Sequence, residues 1–298
     1  MSAHASAVPA EVFYFVPPTD GSRPTTYLTP RTDGGPETNY GSARHIVQIE
    51  NVRGKEDTYT LDDSGFQFVK HASNHKGFND NAEIEKEYYP ESIELLKKLT
   101  GASKIILFDH STFGVCAFFR YVTLSKYQSL AIRRRDGEPT LDSQKRGPVP
   151  RVHVDQTSQA ARNRLRRYLP KEEAEERLKH RFQIINLWRP ISHPAFDWPL
   201  ALVDYRTVNA EEDLVPIDLI YPDSTGQSSG VNYNPDHEWK YLRGMSPEEV
   251  ILIKCYDSIE DGSVAVFTPH TAFADPTTPE GSPFRESIEL RALVFYDD

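Results

Sequence analysis

The chain has 298 residues, 38% hydrophobic, 11% aromatic and 26% charged, enough apolar surface to bury a core and too much to stay disordered. Its formal net charge of −10 disfavours nucleic acid and anionic lipid as partners, because a net acidic surface repels both at long range. Only Cys116 and Cys255 are present and no Cys-x-x-Cys occurs, which excludes a disulfide framework and a thiolate zinc site. Residues 1–11 lack a basic start followed by an apolar run, and no apolar stretch approaches the roughly 20 residues that span a bilayer. The expectation is a soluble, cytoplasmic protein acting on a small molecule, with a homodimer left open.

The 22 prolines against 16 glycines suggest short elements joined by proline-punctuated loops. One domain over 1–298 is expected, with residues 1–45, rich in Pro, Thr, Ser and Gly, running as an extended N-terminal segment of coil and short strands packed on the core. Residues 90–100 predict a helix: Ile93, Leu96 and Leu99 recur three apart, Pro90 suits the first turn and Gly101 follows as a stop. Residues 157–179 predict two helices divided at Pro170. In the first of them Arg162, Arg164, Arg166 and Arg167 read as a solvated face, and Arg133, Arg134 and Arg135 read as part of a loop, since neither run has interleaved aromatics.

Strands are predicted at 104–110, 115–122, 151–155, 182–188, 200–205, 218–221, 249–256, 263–268 and 286–296, each β-branched or aromatic and bounded by Pro, Gly, Asp or Asn. Residues 136–150 and 222–236 read as mobile loops, either lids or plain surface. The fold class is therefore mainly β with flanking helices, a sandwich or jelly roll.

In Arg151-Val-His-Val-Asp-Gln, strand alternation puts His153 and Asp155 on one face and Val152 and Val154 on the other. An imidazole beside a carboxylate supplies two ligands of the 2-His-1-carboxylate triad that leaves positions open on Fe(II). By itself the motif is weak: with 10 His and 44 acidic residues about one or two such pairs arise by chance, and Asp155 also suits the N-cap of the helix that follows. His270, just past the apolar run 264–268, offers a distal third ligand. In the last strand Arg285, Ser287, Glu289 and Arg291 share one face, and Ile288, Leu290, Ala292 and Val294 the other. A guanidinium fork with a neighbouring hydroxyl is the grip that the far carboxylate of 2-oxoglutarate needs, with Arg291 as the alternative anchor to Arg285.

Other candidates carry bland readings of equal or greater weight. Arg189 is either a co-substrate ligand or half of a structural ion pair. Asn186, two residues before Trp188, is placed to reach the pocket. Tyr256 reads as core, His237 either as lining the pocket mouth or, with more weight, as a surface histidine, and His71 and His75 have no partner pattern.

The order His-x-Asp, distant His, Arg-x-Ser resembles the Fe(II)/2-oxoglutarate oxygenases with a double-stranded β-helix core. The segments His153-Val-Asp-Gln-Thr, Asn186-Leu-Trp-Arg-Pro, Pro199-Leu-Ala-Leu, Lys254-Cys-Tyr-Asp-Ser, His270-Thr-Ala-Phe-Ala-Asp-Pro and Arg285-Glu-Ser-Ile-Glu-Leu-Arg-Ala-Leu-Val-Phe-Tyr are similar to those of the fungal hydroxylase/desaturase family. That family includes a gibberellin desaturase and is related to the bacterial cephem methoxylase component. The resemblance covers nearly the whole chain from about Phe13. It implies a jelly-roll core, the cofactor Fe(II), the co-substrates 2-oxoglutarate and O2, and oxidative tailoring of a secondary metabolite. One departure stands out: after Phe108-Asp109-His110 the family pattern leads one to expect an arginine, whereas here Ser-Thr-Phe-Gly follows. A zinc-type hydrolase or isomerase on the same ligands, or a ligand-binding barrel without turnover, are the competing readings. Arg285 with Ser287 argues against the hydrolase, which has no use for a dicarboxylate clamp.

Overall fold

Two sheets pack face to face in a computed structural model that describes residues 6–78, 80–111 and 148–297. The expected strand 115–122, Cys116, the Arg133-Arg134-Arg135 run and most of the expected loop 136–150 lie outside the described residues. In chain order the strands are β1 (Ala7–Val16), β2 (Thr25–Tyr27), β3 (Gly41–Asn51), β4 (Phe66–Lys70), β5 (Lys104–Ser111), β6 (His153–Val154) and β7 (Phe182–Pro190). They continue as β8 (Leu200–Val203), β9 (Leu214–Ile220), β10 (Thr225–Val231), β11 (Trp239–Tyr241), β12 (Glu249–Asp257), β13 (His270–Ala272) and β14 (Ser287–Phe295). The helices are α1 (Asn81–Glu83), α2 (Tyr89–Thr100), α3 (Ser158–Tyr168), α4 (Lys171–Arg177) and α5 (Ala210–Asp213).

Among the described residues one sheet runs β4-β12-β7-β14-β5 and the other β1-β3-β11-β8-β13-β6-β10-β9-β2. Eight of these strands, β5, β6, β7, β8, β11, β12, β13 and β14, are shared four and four between the sheets. Counted one to eight, they lie in the order one-eight-three-six in the first sheet and two-seven-four-five in the second. That is the jelly roll expected from the sequence.

Three apolar layers follow from side-chain alternation. Ile184, Trp188, Ile251, Ile253 and Leu293 of the first sheet face Leu200 and Leu202 of the second, forming the barrel interior. The opposite face, with Ile185, Leu187, Leu252, Leu290 and Ala292, is covered by Leu95 and Leu96 of α2. β7 is thus buried on both faces, which is why all nine of its residues are buried. Outside the second sheet, Val8, Val12 and Tyr14 of β1 close over Val152, Val154, Ala201 and Val203. β1 pairs with β3 along its length and returns to the second sheet where Phe13 bridges Arg151.

The helix ends are set as the sequence predicts. Pro90 sits in the first turn of α2, and Gly101 closes it with a left-handed φ of 73°. Thr157, whose hydroxyl accepts from Ala160 N–H, caps α3, so Asp155 is not spent as a cap. Pro170 separates α3 from α4.

Three expectations are corrected. Residues 1–45 are not coil and short strands alone: β1 spans ten residues, alternating buried Val8, Ala10, Val12 and Tyr14 with outward Pro9 and Glu11, and Pro9 is tolerated because β1 lies at a sheet edge. Residues 222–236 are not a loop throughout, since β10 pairs with both β9 and β6. The Gly/Ser composition that reads as a loop there serves close packing: a Cβ on Gly230 would come within 2.7 Å of the Phe15 ring. Residues 263–268 form no ladder among the described residues; Ala265 N–H donates to Asp62 O and the Thr268 hydroxyl to Gly65 O instead.

Candidate metal centre

His153 and Asp155 share the interior face of the β6 run, as alternation requires, because Val152 and Val154 point into the outer core. β13 begins at His270, which stands in register opposite His153. Residues directly opposite in an antiparallel pair have neighbouring side chains, and the two imidazole centroids are 4.4 Å apart. His153 Nε2 lies 3.5 Å from Asp155 Oδ1, and the ligand atoms of all three residues lie within 4.8 Å of one another.

The tautomers are set by the backbone. His153 Nδ1 is 2.8 Å from Arg151 O, and His270 Nδ1 is 3.0 Å from Thr268 O. A carbonyl only accepts, so each Nδ1 carries the proton and each Nε2 presents a lone pair to the common point. Burial pushes His270 down to about 4, so it is neutral and available as a ligand near pH 7.

Asp155 is held from behind. Burial alone would raise its proton affinity, but the Arg291 guanidinium beside it outweighs burial and holds it well below the usual carboxylate range. Its Oδ2 accepts from Asn186 Nδ2 at 2.7 Å, lies 3.5 Å from Arg291 Nη2 and 3.8 Å from Cys255 Sγ. Asn186 of β7 and Arg291 of β14 are cross-strand partners, which is why both reach the same oxygen. Arg291 also donates to Glu289 at 3.1 Å and so lies between two carboxylates. Burial raises the Cys255 thiol well above its ordinary value, leaving it a neutral S–H beside Asp155.

Arg285 and Ser287 lie where β14 begins, both 2% exposed. The Arg285 guanidinium stands 5.6 Å from the Trp188 ring centroid and donates through Nη1 to Trp198 O. Trp188 shares its face with Asn186, so Arg285 and the triad belong to the same interior.

Two sequence expectations do not come to this interior. Arg189 lies on the other face of β7, 1% exposed, donating to Tyr88 Oη at 3.1 Å, His71 O at 2.7 Å and Pro247 O at 2.8 Å. Its role as a co-substrate ligand is therefore corrected to a structural one. Arg189→Met is expected to lower unfolding free energy by about 1–3 kcal/mol through stranded carbonyls, read by urea denaturation, with metal affinity unchanged. His237 is not a surface residue: it bridges Tyr14 Oη and Asp213, each at 2.9 Å, beside the outer core. Glu289 and Cys255 were passed over by sequence reasoning, although Glu289 was legible from its shared face with Ser287.

A two-histidine, one-carboxylate set on neighbouring strands of a jelly roll is the ligand pattern of mononuclear non-haem metal enzymes. Comparisons with known proteins agree. Residues 12–295 match the family described as YDMC, an oxidoreductase/YMDC permease-like domain. The chain is 34% identical to the hydroxylase/desaturase efuI of Hormonema carpetanum, over 85% of this chain and 84% of that one. It is 31% identical to the Fe(II)/2-oxoglutarate-dependent dioxygenase nvfI of Aspergillus novofumigatus, over 94% of each. A solved structure of the iron and alpha-ketoglutarate-dependent endoperoxidase NvfI superposes with a TM-score of 0.80 at 26% identity, covering 98% of this chain and 99% of that one. The chain belongs to this family of hydroxylase/desaturases and Fe(II)/2-oxoglutarate-dependent dioxygenases. The enzyme class and the cofactors Fe(II), 2-oxoglutarate and O2 expected from the sequence hold.

Proposed function

We propose that His153, Asp155 and His270 hold Fe(II), that Arg285 and Ser287 bind the far carboxylate of 2-oxoglutarate, and that the enzyme hydroxylates, desaturates or otherwise oxidises a small secondary metabolite. The observation that carries this reading is the convergence of two Nε2 lone pairs and Asp155 Oδ1, each side chain locked from behind by a hydrogen bond. When bound, iron couples oxidative decarboxylation of 2-oxoglutarate to succinate and CO2 with oxidation of the substrate by O2.

The protein's share is binding, charge and exclusion of water. Among the described residues, Asp155 and Glu289 are offset by Arg285 and Arg291, four side chains whose formal charges cancel, as do those of the dication and the dianionic co-substrate. Arg285, beside Ser287 where β14 begins, is the dicarboxylate anchor in this reading, while Arg291 holds Asp155 and Glu289. Asn186 supports the metal ligand rather than the co-substrate. Its Nδ2 donates to Asp155, while its fully buried Oδ1 accepts no hydrogen bond among the described residues and is left for a donor on a bound molecule. Asn186→Ala is expected to weaken metal binding by about 10–100-fold, measured by equilibrium dialysis of the anaerobic protein.

The free, buried Cys255 is consistent with a reducing, cytoplasmic setting. Among the described residues no helix is long and apolar enough to cross a membrane. The direct test is the visible absorption band that develops when 2-oxoglutarate is added anaerobically to the Fe(II)-loaded protein. Its appearance with wild type supports chelation at this centre; a protein that binds iron but gives no band overturns the reading.

A further inference from the structure

Trp198 is the one residue other than glycine, among the described residues, with a left-handed backbone, at φ 44°. Two features make that conformation unfavourable. A bulky side chain is rarely found there, and the following Pro199 restricts its predecessor to extended backbone. Such a residue persists only where its surroundings over-determine it.

The loop from β7 to β8 is tied down on both sides of Trp198. Ala195 N–H donates to Met245 O at 2.8 Å, the Thr278 hydroxyl donates to Phe196 O at 2.9 Å, and Phe273 N–H donates to Pro199 O at 3.3 Å. With its neighbours held, the left-handed turn sets the direction of the Trp198 carbonyl, and that carbonyl accepts from Arg285 Nη1. Asp197, one residue earlier, accepts the backbone N–H of Arg285 at 3.3 Å. Two consecutive residues of one constrained loop therefore hold both the backbone and the guanidinium of Arg285.

We infer that Trp198 is a positioning residue whose left-handed backbone, rather than its indole, aims the Arg285 guanidinium at the far carboxylate of 2-oxoglutarate. The inference rests on the role proposed above for Arg285. A guanidinium is a rigid planar fork of donors. Holding one edge on a carbonyl, with the Trp188 ring beside its plane, restricts rotation, so the fork is set before the dicarboxylate arrives.

The test is the 2-oxoglutarate dissociation constant, by calorimetry with Mn(II) in place of iron, measured beside the dissociation constant of Mn(II) itself. Glycine and asparagine tolerate the left-handed region, so Trp198→Gly and Trp198→Asn are expected to keep 2-oxoglutarate affinity within about twofold. A β-branched residue is barred from that region, so Trp198→Val is expected to weaken 2-oxoglutarate by about tenfold or more with Mn(II) affinity unchanged. Equal weakening in folded Gly, Asn and Val variants overturns the inference, because the indole is then what matters. Unchanged affinity in all three overturns it as well. Should the Val variant not fold, loss of affinity in the folded Gly variant is decisive against it. Arg285→Ala is the reference. If that variant binds 2-oxoglutarate as wild type does, the anchor reading itself fails, whatever the Trp198 variants show, and the inference falls with it.

Discussion

Asp155→Ala is expected to end succinate formation, with turnover down by more than about 100-fold, beyond what loss of a supporting group costs a metal site. The reason is that Asp155 is the only carboxylate in the converging triad, and its charge is maintained against burial by Arg291. The variant should still unfold cooperatively, because Asp155 lies at the rim of the interior and the cores on either side of its strand run through other residues. Iron binding by dialysis and turnover by succinate release must fall together. If Asp155→Ala keeps near wild-type turnover, the carboxylate role passes to Glu289, the other acid on the interior side of Arg291.

The second large effect is expected at Arg285. Replacing it with alanine removes a charge-assisted, two-point grip and one of the two guanidinium charges that offset Asp155 and Glu289. The 2-oxoglutarate requirement should rise by about 10–100-fold, while iron affinity stays unchanged. Arg291→Met should show the reverse pattern, weaker iron and a smaller effect on 2-oxoglutarate, because Arg291 faces Asp155 and Glu289. Saturation curves for 2-oxoglutarate at fixed iron, and for iron at fixed 2-oxoglutarate, separate the two. A raised 2-oxoglutarate requirement in the Arg291 variant alone would exchange the two arginines' roles.

Much of this centre was legible because strand alternation is a local property. His153 and Asp155 two apart, and Ser287, Glu289 and Arg291 two apart, take a common face wherever the strand goes. Helix ends marked by Pro90, Gly101, Thr157 and Pro170 are equally local. A residue's place within the assembled sheets is not local. β7 is buried on both faces, so its sequence carries no polar side to show that Asn186 turns inward while Arg189 turns toward α2.

The same limit explains the other corrections. β10 is a strand because it pairs with β9 and β6, and Phe15, more than two hundred residues away in the chain, packs over Gly230; a Gly/Ser run gives no hint of that cover. His237 is buried because Tyr14 and Asp213 converge on it. The amino-acid order by itself determined which side chains share a face and where helices stop, since both follow from the repeat of the backbone and the chemistry of the chain's next few residues. Only the tertiary structure decided which arginine meets the interior, that His270 registers against His153, and that Trp198 takes a conformation its own neighbours in sequence oppose, because each of these depends on contacts between segments whose approach no local repeat encodes.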